Sequence, residues 1–301
     1  MSEKTTERYD LTQYKKEHIA NQCVCCGSFH LKSTPAILMP FVSHRVFGWA
    51  PVIIDDSWGL RTIENGHAYS ICKTMLCEDC GFLFLDIRFT ESELANLYHD
   101  YRGREYNDLR EKYEPGFTKR NTELKAGVDY LDKIEDFLAP FLKFPVRVLD
   151  WGGDTGKNTP FKTRNSVFDI YDISDVPVVS GARRVNKQQA METAYDVIIC
   201  SNVLEHVPYP AELLLDIRNV MRPDTIFYIE VPFEDVMRNH SSELPTAKRH
   251  WHEHINFYSR MSLRRLLENC GMDVLAVGSQ PVSVAGTNTV ILQMACKKCS
   301  G

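Results

Sequence analysis

Three groups of residues in this 301-residue chain have the types and spacing to do chemistry. The first is an acid beside clustered glycines, Asp150, Gly152, Gly153 and Gly156, directly after the apolar Val146, Val148 and Leu149. The apolar run reads as a buried strand that Asp150 ends, and the glycines let the backbone turn sharply and approach a ligand with no Cβ in the way. A nucleotide-like cofactor is the natural occupant. A dinucleotide site wants G-x-G-x-x-G and no acid facing a pyrophosphate. The spacing here, D-x-G-G-x-x-G, suits a cofactor that carries an amine and a sulfonium.

The second group is a pair of matched knuckles, Cys23-x-x-Cys26-Gly27 and Cys77-x-x-Cys80-Gly81. Each glycine permits the tight turn that aims backbone amides at thiolate sulfurs, and four thiolates fit a tetrahedral zinc ion. Cys25 and Cys72 are spare neighbours, and Cys296-x-x-Cys299 has no partner pair. The residues between the knuckles, including Phe41, Phe47, Trp49, Ile53, Ile54 and Trp58, are expected to form β-hairpins beside the metal. They lack the interleaved Lys and Arg of a nucleic-acid ribbon, so the zinc is expected to be structural. The third group is His250, His252, Glu253 and His254. The histidines alternate, so an extended chain would put all three on one side, where a second metal site is conceivable.

The elements that must hold these groups follow from periodicity. Val167 to Tyr171 reads as a strand ending at Asp172, which is placed to accept from both hydroxyls of a ribose. Tyr195 to Ser201 is a further strand, ending at Asn202, and Val203 to Val207, with Glu205 and His206, opens a helix. Arg183 to Asn186 and Thr225 to Val231 add strands, Pro232 closing the latter, and strands and helices alternate from Val146 onward. That alternation implies a parallel sheet with a ligand at the carboxyl ends of its strands. A helix over Ser262 to Cys270 and a strand pair, Met272 to Gly278 with Thr289 to Cys296, give the sheet an antiparallel edge. Upstream, Thr90-x-x-Glu93 is a capping-box pattern, and apolar positions from Leu124 to Leu138 are spaced for one linking helix over about Phe117 to Phe141. Between the two lies a stretch dense in tyrosine and arginine, Tyr98 to Tyr106, which reads either as a solvated loop or as a substrate loop. In the second reading the arginines grip a phosphate, and tyrosine hydroxyls meet an oxygen-rich ligand.

The ordered set Asp150, Gly152, Asp172 and Asn202 resembles the class I S-adenosylmethionine-dependent methyltransferases, in which these residues fall on cofactor-contacting positions, with Gly153 and Gly156 completing the turn. Asp154 stands where that family usually has a third clustered glycine, and Arg222 to Thr225 replaces its usual Pro-Gly-Gly turn. The four cysteines, the tyrosine stretch, the glycine turn and Glu253-His254, in that order, are similar to sugar methyltransferases with an N-terminal zinc domain. The resemblance implies an α/β, Rossmann-like methyltransferase sheet, with residues 116–301 holding the cofactor and residues 1–115 forming a zinc-binding lid. It also implies a sugar substrate, nucleotide-linked, and acid–base roles for Glu253 and His254. Tyr101 or Tyr106 would then steady the developing enolate or alkoxide. Methylation at carbon next to a ketone is the leading expectation and O-methylation the nearest alternative; an inactive zinc-ribbon interaction protein on the same scaffold is the rival from another class.

Composition is consistent with this. A net charge of −5 argues against a broad phosphate-tracking surface for nucleic acid. No stretch offers about 20 uninterrupted apolar residues, and the first 19 are polar, so a cytoplasmic protein without a membrane span or secretory signal is expected. In that compartment ten cysteines point to metal before disulfides.

Overall fold

The computed structural model describes residues 16–59, 63–125, 127–163, 167–174, 176–238, 244–284 and 286–299. Its larger sheet has seven strands: β1 Arg147–Trp151, β2 Val167–Tyr171, β3 Ala182–Arg184, β4 Val197–Ser201, β5 Ile226–Pro232, β6 Met272–Val284 and β7 Thr287–Lys298, in the order β6-β7-β5-β4-β1-β2-β3. The first five run parallel, and β7 adds antiparallel to β5 and to β6. This is a Rossmann-like parallel sheet with an antiparallel edge, and its parallel strands are what the alternation of elements implied. The strand order reverses between β1 and β4, which puts the ligand crevice at their carboxyl ends.

Side chains alternate across this sheet, as strand geometry dictates. Val148, Ile170, Val197, Ile199 and Tyr228 go to one core, closed by the helix Leu131–Leu138. Leu149, Ile198, Cys200, Phe227 and Ile229 go to the other, which runs without a break into the N-terminal residues Phe41, Phe82 and Phe84. The helix Pro210–Val220, with proline at its first position, buries Ala211, Leu214 and Ile217 in that second core.

Several boundaries differ from expectation. β1 and β5 each run on to include Asp150 and Pro232. After β4 the chain makes only a short 3₁₀ turn, Leu204–His206, before the helix at Pro210. The single linking helix is two, Phe117–Lys125 and Leu131–Leu138, because Gly127 sits at φ +96° between them. Phe41 and Phe47 lie on a helix, Pro40–Phe47, not a hairpin; Pro40 opens it and Gly48, at φ +67°, ends it. The expected hairpin is Val52–Ile54 with Gly66–Ala68.

The N-terminal residues form a five-stranded sheet whose interior strands are Leu31–Leu38, Ile71–Cys77 and Leu83–Leu85. Both edges come from far along the chain: His250–Trp251 pairs with Leu31–Leu38, and Asn256–Phe257 with Leu83–Leu85. Residues 250–257 therefore belong structurally to both parts. Among the described residues no helix is long and apolar enough to cross a membrane.

Candidate active site

The carboxyl ends of β1 and β2 form an acidic turn. Gly152, at φ +83°, donates its amide to the carbonyl of Tyr171 at 2.7 Å, folding the turn back over β2. Asp154 takes a positive φ of 52°, a conformation that a short polar side chain tolerates better than most, which is how it replaces a glycine. Its amide donates to Asp172 at 2.9 Å, and the Ser174 amide donates to the other oxygen of Asp172 at 2.8 Å. Asp150 is buried and accepts from the Thr159 hydroxyl at 2.6 Å; burial, and then the nearby Asp172 and Glu230, push its pKa up to about 7 despite that bond. A Cβ on Gly153 would lie 2.6 Å from Asp150 Cγ, and one on Gly152 would lie 2.5 Å from Val203 Cγ2. Asn202, at φ +54°, donates to Glu230 at 2.9 Å, and Tyr130 donates to the same oxygen at 3.0 Å. All six residues expected to touch a cofactor thus lie at one end of the sheet. The acids suit a ligand bearing an amine, a sulfonium and ribose hydroxyls.

Because Gly153 has no room for a side chain, Gly153→Ala must displace Asp150 or the turn. Overpacking of this kind costs about 1–3 kcal/mol. The expected result is a lower thermal midpoint together with weaker binding of S-adenosylhomocysteine; an unchanged midpoint would show that the turn has slack.

The third chemical group is held taut between two strands. Trp251 is buried and its indole donates to Thr74 Oγ1 at 2.7 Å. Asn256 donates to the carbonyls of Leu204 and Val207 at 3.0 and 2.6 Å and accepts from Arg88 at 2.8 Å. With both ends pinned, the side chains between them diverge. His252 contacts Glu114 and lies parallel to Phe41. Glu253 accepts from Arg110 at 2.9 and 3.2 Å and from Tyr106 at 3.2 Å. His254 turns the opposite way, its ring 4.7 Å from that of His206 and its Nδ1 3.6 Å from Glu234. The three histidines therefore do not share one site, which corrects the reading of His250, His252 and His254 as a metal trio. His250 is exposed on the edge strand.

The electrostatics separate these roles. Burial would raise Glu253, but His252 and Arg110, followed by His206 and His254, hold it at about 2. That low pKa favours the ionised form of Glu253. Burial brings His206 down to about 3, with His254 adding to the effect. Burial also opposes charge on His254, but Glu234 beside it, then Glu205 and Glu253, raise it. His254 keeps 34% of its side chain exposed, so it can meet a ligand in the cleft.

Of the two tyrosines expected in the site, Tyr106 is fully buried, with its hydroxyl committed to Glu253 and accepting from Arg110 at 2.7 Å. Tyr101 is 39% exposed and packs edge-on against Tyr98 and Tyr106. The tyrosine stretch is only partly a loop, since a helix begins at Arg104. Sequence reasoning missed Arg110 and Glu114, which meet Glu253 and His252 across more than 130 residues; an i,i+4 Arg–Glu pair reads as an ordinary helix surface.

The four knuckle cysteines converge. Cys23 Sγ lies 3.7 Å from Cys80 Sγ, and Cys26 Sγ lies 3.6 Å from Cys77 Sγ. Bonds of about 2.3 Å to a tetrahedral zinc would set sulfurs roughly 3.8 Å apart, so the donor set fits that ion. Gly27 and Gly81, at φ +76° and +69°, make the turns. Cys25 donates instead to the Ser262 carbonyl, and Cys299 to Asp273.

A family profile described as a methyltransferase domain matches residues 119–277, just over half of the chain. No curated protein matches. Similar solved structures include an S-adenosylmethionine-dependent methyltransferase from Methanosarcina mazei (12% identity, 55% of this chain and 98% of that one, TM-score 0.44). Another is the 1,6-didemethyltoxoflavin-N1-methyltransferase of Burkholderia thailandensis (18% identity, 65% and 90%, TM-score 0.45). A third is a glycopeptide N-methyltransferase complexed with sinefungin (12% identity, 56% and 94%, TM-score 0.43).

Proposed function

We infer the function from one premise: the chain belongs to the methyltransferase-domain family. It is an S-adenosylmethionine-dependent methyltransferase, and we propose that its substrate is a small polar molecule, a nucleotide-linked sugar, methylated at a carbon next to a ketone. The observation that carries this is the juxtaposition at one end of the sheet. The acidic glycine turn touches Val203, and three residues later His206 meets His254. A cofactor turn and a candidate base thus share one cleft.

When bound, the cofactor supplies an electrophilic sulfonium methyl. Asp172 would hold its ribose, and Asp150, Gly152, Gly153, Gly156 and Asn202 would line its bed. The substrate becomes a nucleophile only as a proton leaves. His254, exposed to the cleft and backed by the carboxylate of Glu234, takes that proton. Glu253, clamped by Arg110 and Tyr106, fixes the strand segment and favours the charged imidazole. Tyr101 offers its hydroxyl to the developing enolate oxygen. Cys23, Cys26, Cys77 and Cys80 hold a structural zinc, and residues 1–115 act as a lid over the cofactor unit, 116–301, with residues 250–257 stitched into both. A cytoplasmic setting, with no nucleic-acid or membrane partner, fits this chemistry.

Incubating sugar nucleotides with deuterated-methyl S-adenosylmethionine and weighing the products tests the proposal. A keto-sugar that gains the label, and exchanges its adjacent C–H in deuterated water without methyl transfer, supports carbon methylation. Transfer without exchange would move the assignment to a hydroxyl oxygen, and transfer to no sugar would end the sugar reading. Asp172→Ala should weaken S-adenosylhomocysteine binding by about 2 kcal/mol, roughly 30-fold, through loss of a charge-assisted contact. Because Asp172 also accepts from the Asp154 and Ser174 amides, Asp172→Asn, which keeps one acceptor, is expected to lose less. Unchanged affinity in both variants would remove Asp172 from the cofactor site.

A further inference from the structure

Besides the four cysteines, one cluster among the described residues can offer metal ligands at a single point: Glu205, His206 and His254, whose ligand atoms lie within 4.8 Å of one another. Glu205 is 2% exposed, and neither of its carboxylate oxygens has a hydrogen-bond partner. The nearby His206 Nε2 is 3.8 Å away, too far for a hydrogen bond. A buried carboxylate left without a donor is costly, and a cation seated against it would remove that cost.

The imidazole of His206 is set up as a neutral ligand. His206 Nδ1 lies 3.1 Å from the Glu253 carbonyl and 3.0 Å from the Tyr98 hydroxyl. A carbonyl can only accept, so Nδ1 carries the hydrogen, and the lone pair is on Nε2, the nitrogen that faces Glu205. His254 has the Glu234 carboxylate 3.6 Å from its Nδ1, an ion-pair contact longer than a hydrogen bond, on the side where a second carboxylate can back a ligating histidine. Two imidazoles and one carboxylate suit a divalent transition-metal ion better than magnesium or calcium, which prefer oxygen donors throughout. Three protein ligands leave a coordination position open toward the cleft.

We propose that Glu205, His206 and His254 bind one divalent transition-metal ion, and that this ion competes with substrate deprotonation. The second part rests on the reading of His254 as the base: a neutral imidazole has one lone pair, so His254 cannot bond a metal and take a proton at once. Metal occupancy would then switch turnover off without touching the cofactor turn.

The test is equilibrium dialysis of the zinc-loaded full chain against cobalt(II) alone, with metal counted per chain and turnover and S-adenosylhomocysteine affinity measured on the same samples. One ion beyond the cysteine-bound zinc is expected, with turnover falling in step and cofactor affinity unchanged. Glu205→Gln, which keeps size and shape, and separately His206→Gln, should each weaken uptake at least 10-fold. No additional ion, or uptake unchanged in both variants, would overturn the site. Uptake without loss of turnover would leave the metal site standing and overturn the competition, and with it His254 as the base. Loss of turnover in His254→Ala without metal uptake in the parent would do the reverse.

Discussion

Replacing His254 by alanine is expected to lower turnover by about 10²- to 10⁴-fold while leaving the affinity for S-adenosylhomocysteine intact. The magnitude is that of general-base catalysis, and the selectivity follows from position. His254 contacts His206 and Glu234, beyond the ends of β4 and β5, whereas Asp172, the acid proposed to hold the ribose, follows β2. Its neighbours are poor substitutes. His252 is held against Glu114, and His206 is a half-buried imidazole whose Nδ1 faces a carbonyl. Steady-state kinetics beside a calorimetric titration of the variant decide the matter. Near-normal turnover would pass the role to Tyr101, the partly exposed tyrosine expected in the site, and loss of cofactor binding would mean that His254 supports the fold of the turn.

Loss of the zinc proposed at the four cysteines is expected to have the largest structural effect. Structural zinc sites in small units contribute about 10–16 kcal/mol of apparent binding energy, as much as the whole stability of an ordinary domain. Cys23, Cys77 and Cys80 are fully buried, and Cys77 is the last residue of the strand Ile71–Cys77, at the middle of the N-terminal sheet. Cys80→Ser should therefore abolish zinc retention and unfold that sheet. The damage should reach the active site, because the two strands that pin His252, Glu253 and His254 are the edges of the same sheet. Protein purified without chelator is expected to carry one zinc per chain by elemental analysis, and the variant none, with fast amide exchange over residues 31–38 and 71–85. Well under one zinc in the parent protein, or native exchange in the variant, would contradict the structural role.

What was legible in the sequence was whatever depends on local pattern. Apolar strands running to Asp150, Asp172 and Asn202 announced the sheet and the acidic glycine turn at its end, and two matched Cys-x-x-Cys-Gly knuckles announced the four-cysteine cluster. Thr90 and Glu93 cap their helix with both expected bonds. What was hidden depends on long-range pairing. Alternation in His250, His252 and His254 suggested one shared face, but Trp251 and Asn256 anchor the segment at both ends and its side chains splay. The buried Arg110 that neutralises Glu253 looks like a surface helix residue from its neighbours alone. Glu205 read as part of a helix start or, with His206, as an acid–base pair; that neither of its carboxylate oxygens has a hydrogen-bond partner is a property of its folded surroundings. The Pro40–Phe47 helix was legible in principle from its proline and Gly48, yet its aromatics suggested strand.

The most direct test of the central claim is calorimetric titration of the purified, zinc-bearing protein with S-adenosylhomocysteine. Saturable binding at one site per chain, weakened roughly 30-fold by Asp172→Ala, is the expected result. No binding at all, or binding indifferent to that substitution, would contradict the assignment of the acidic glycine turn as the cofactor site and leave a methyltransferase scaffold put to another use.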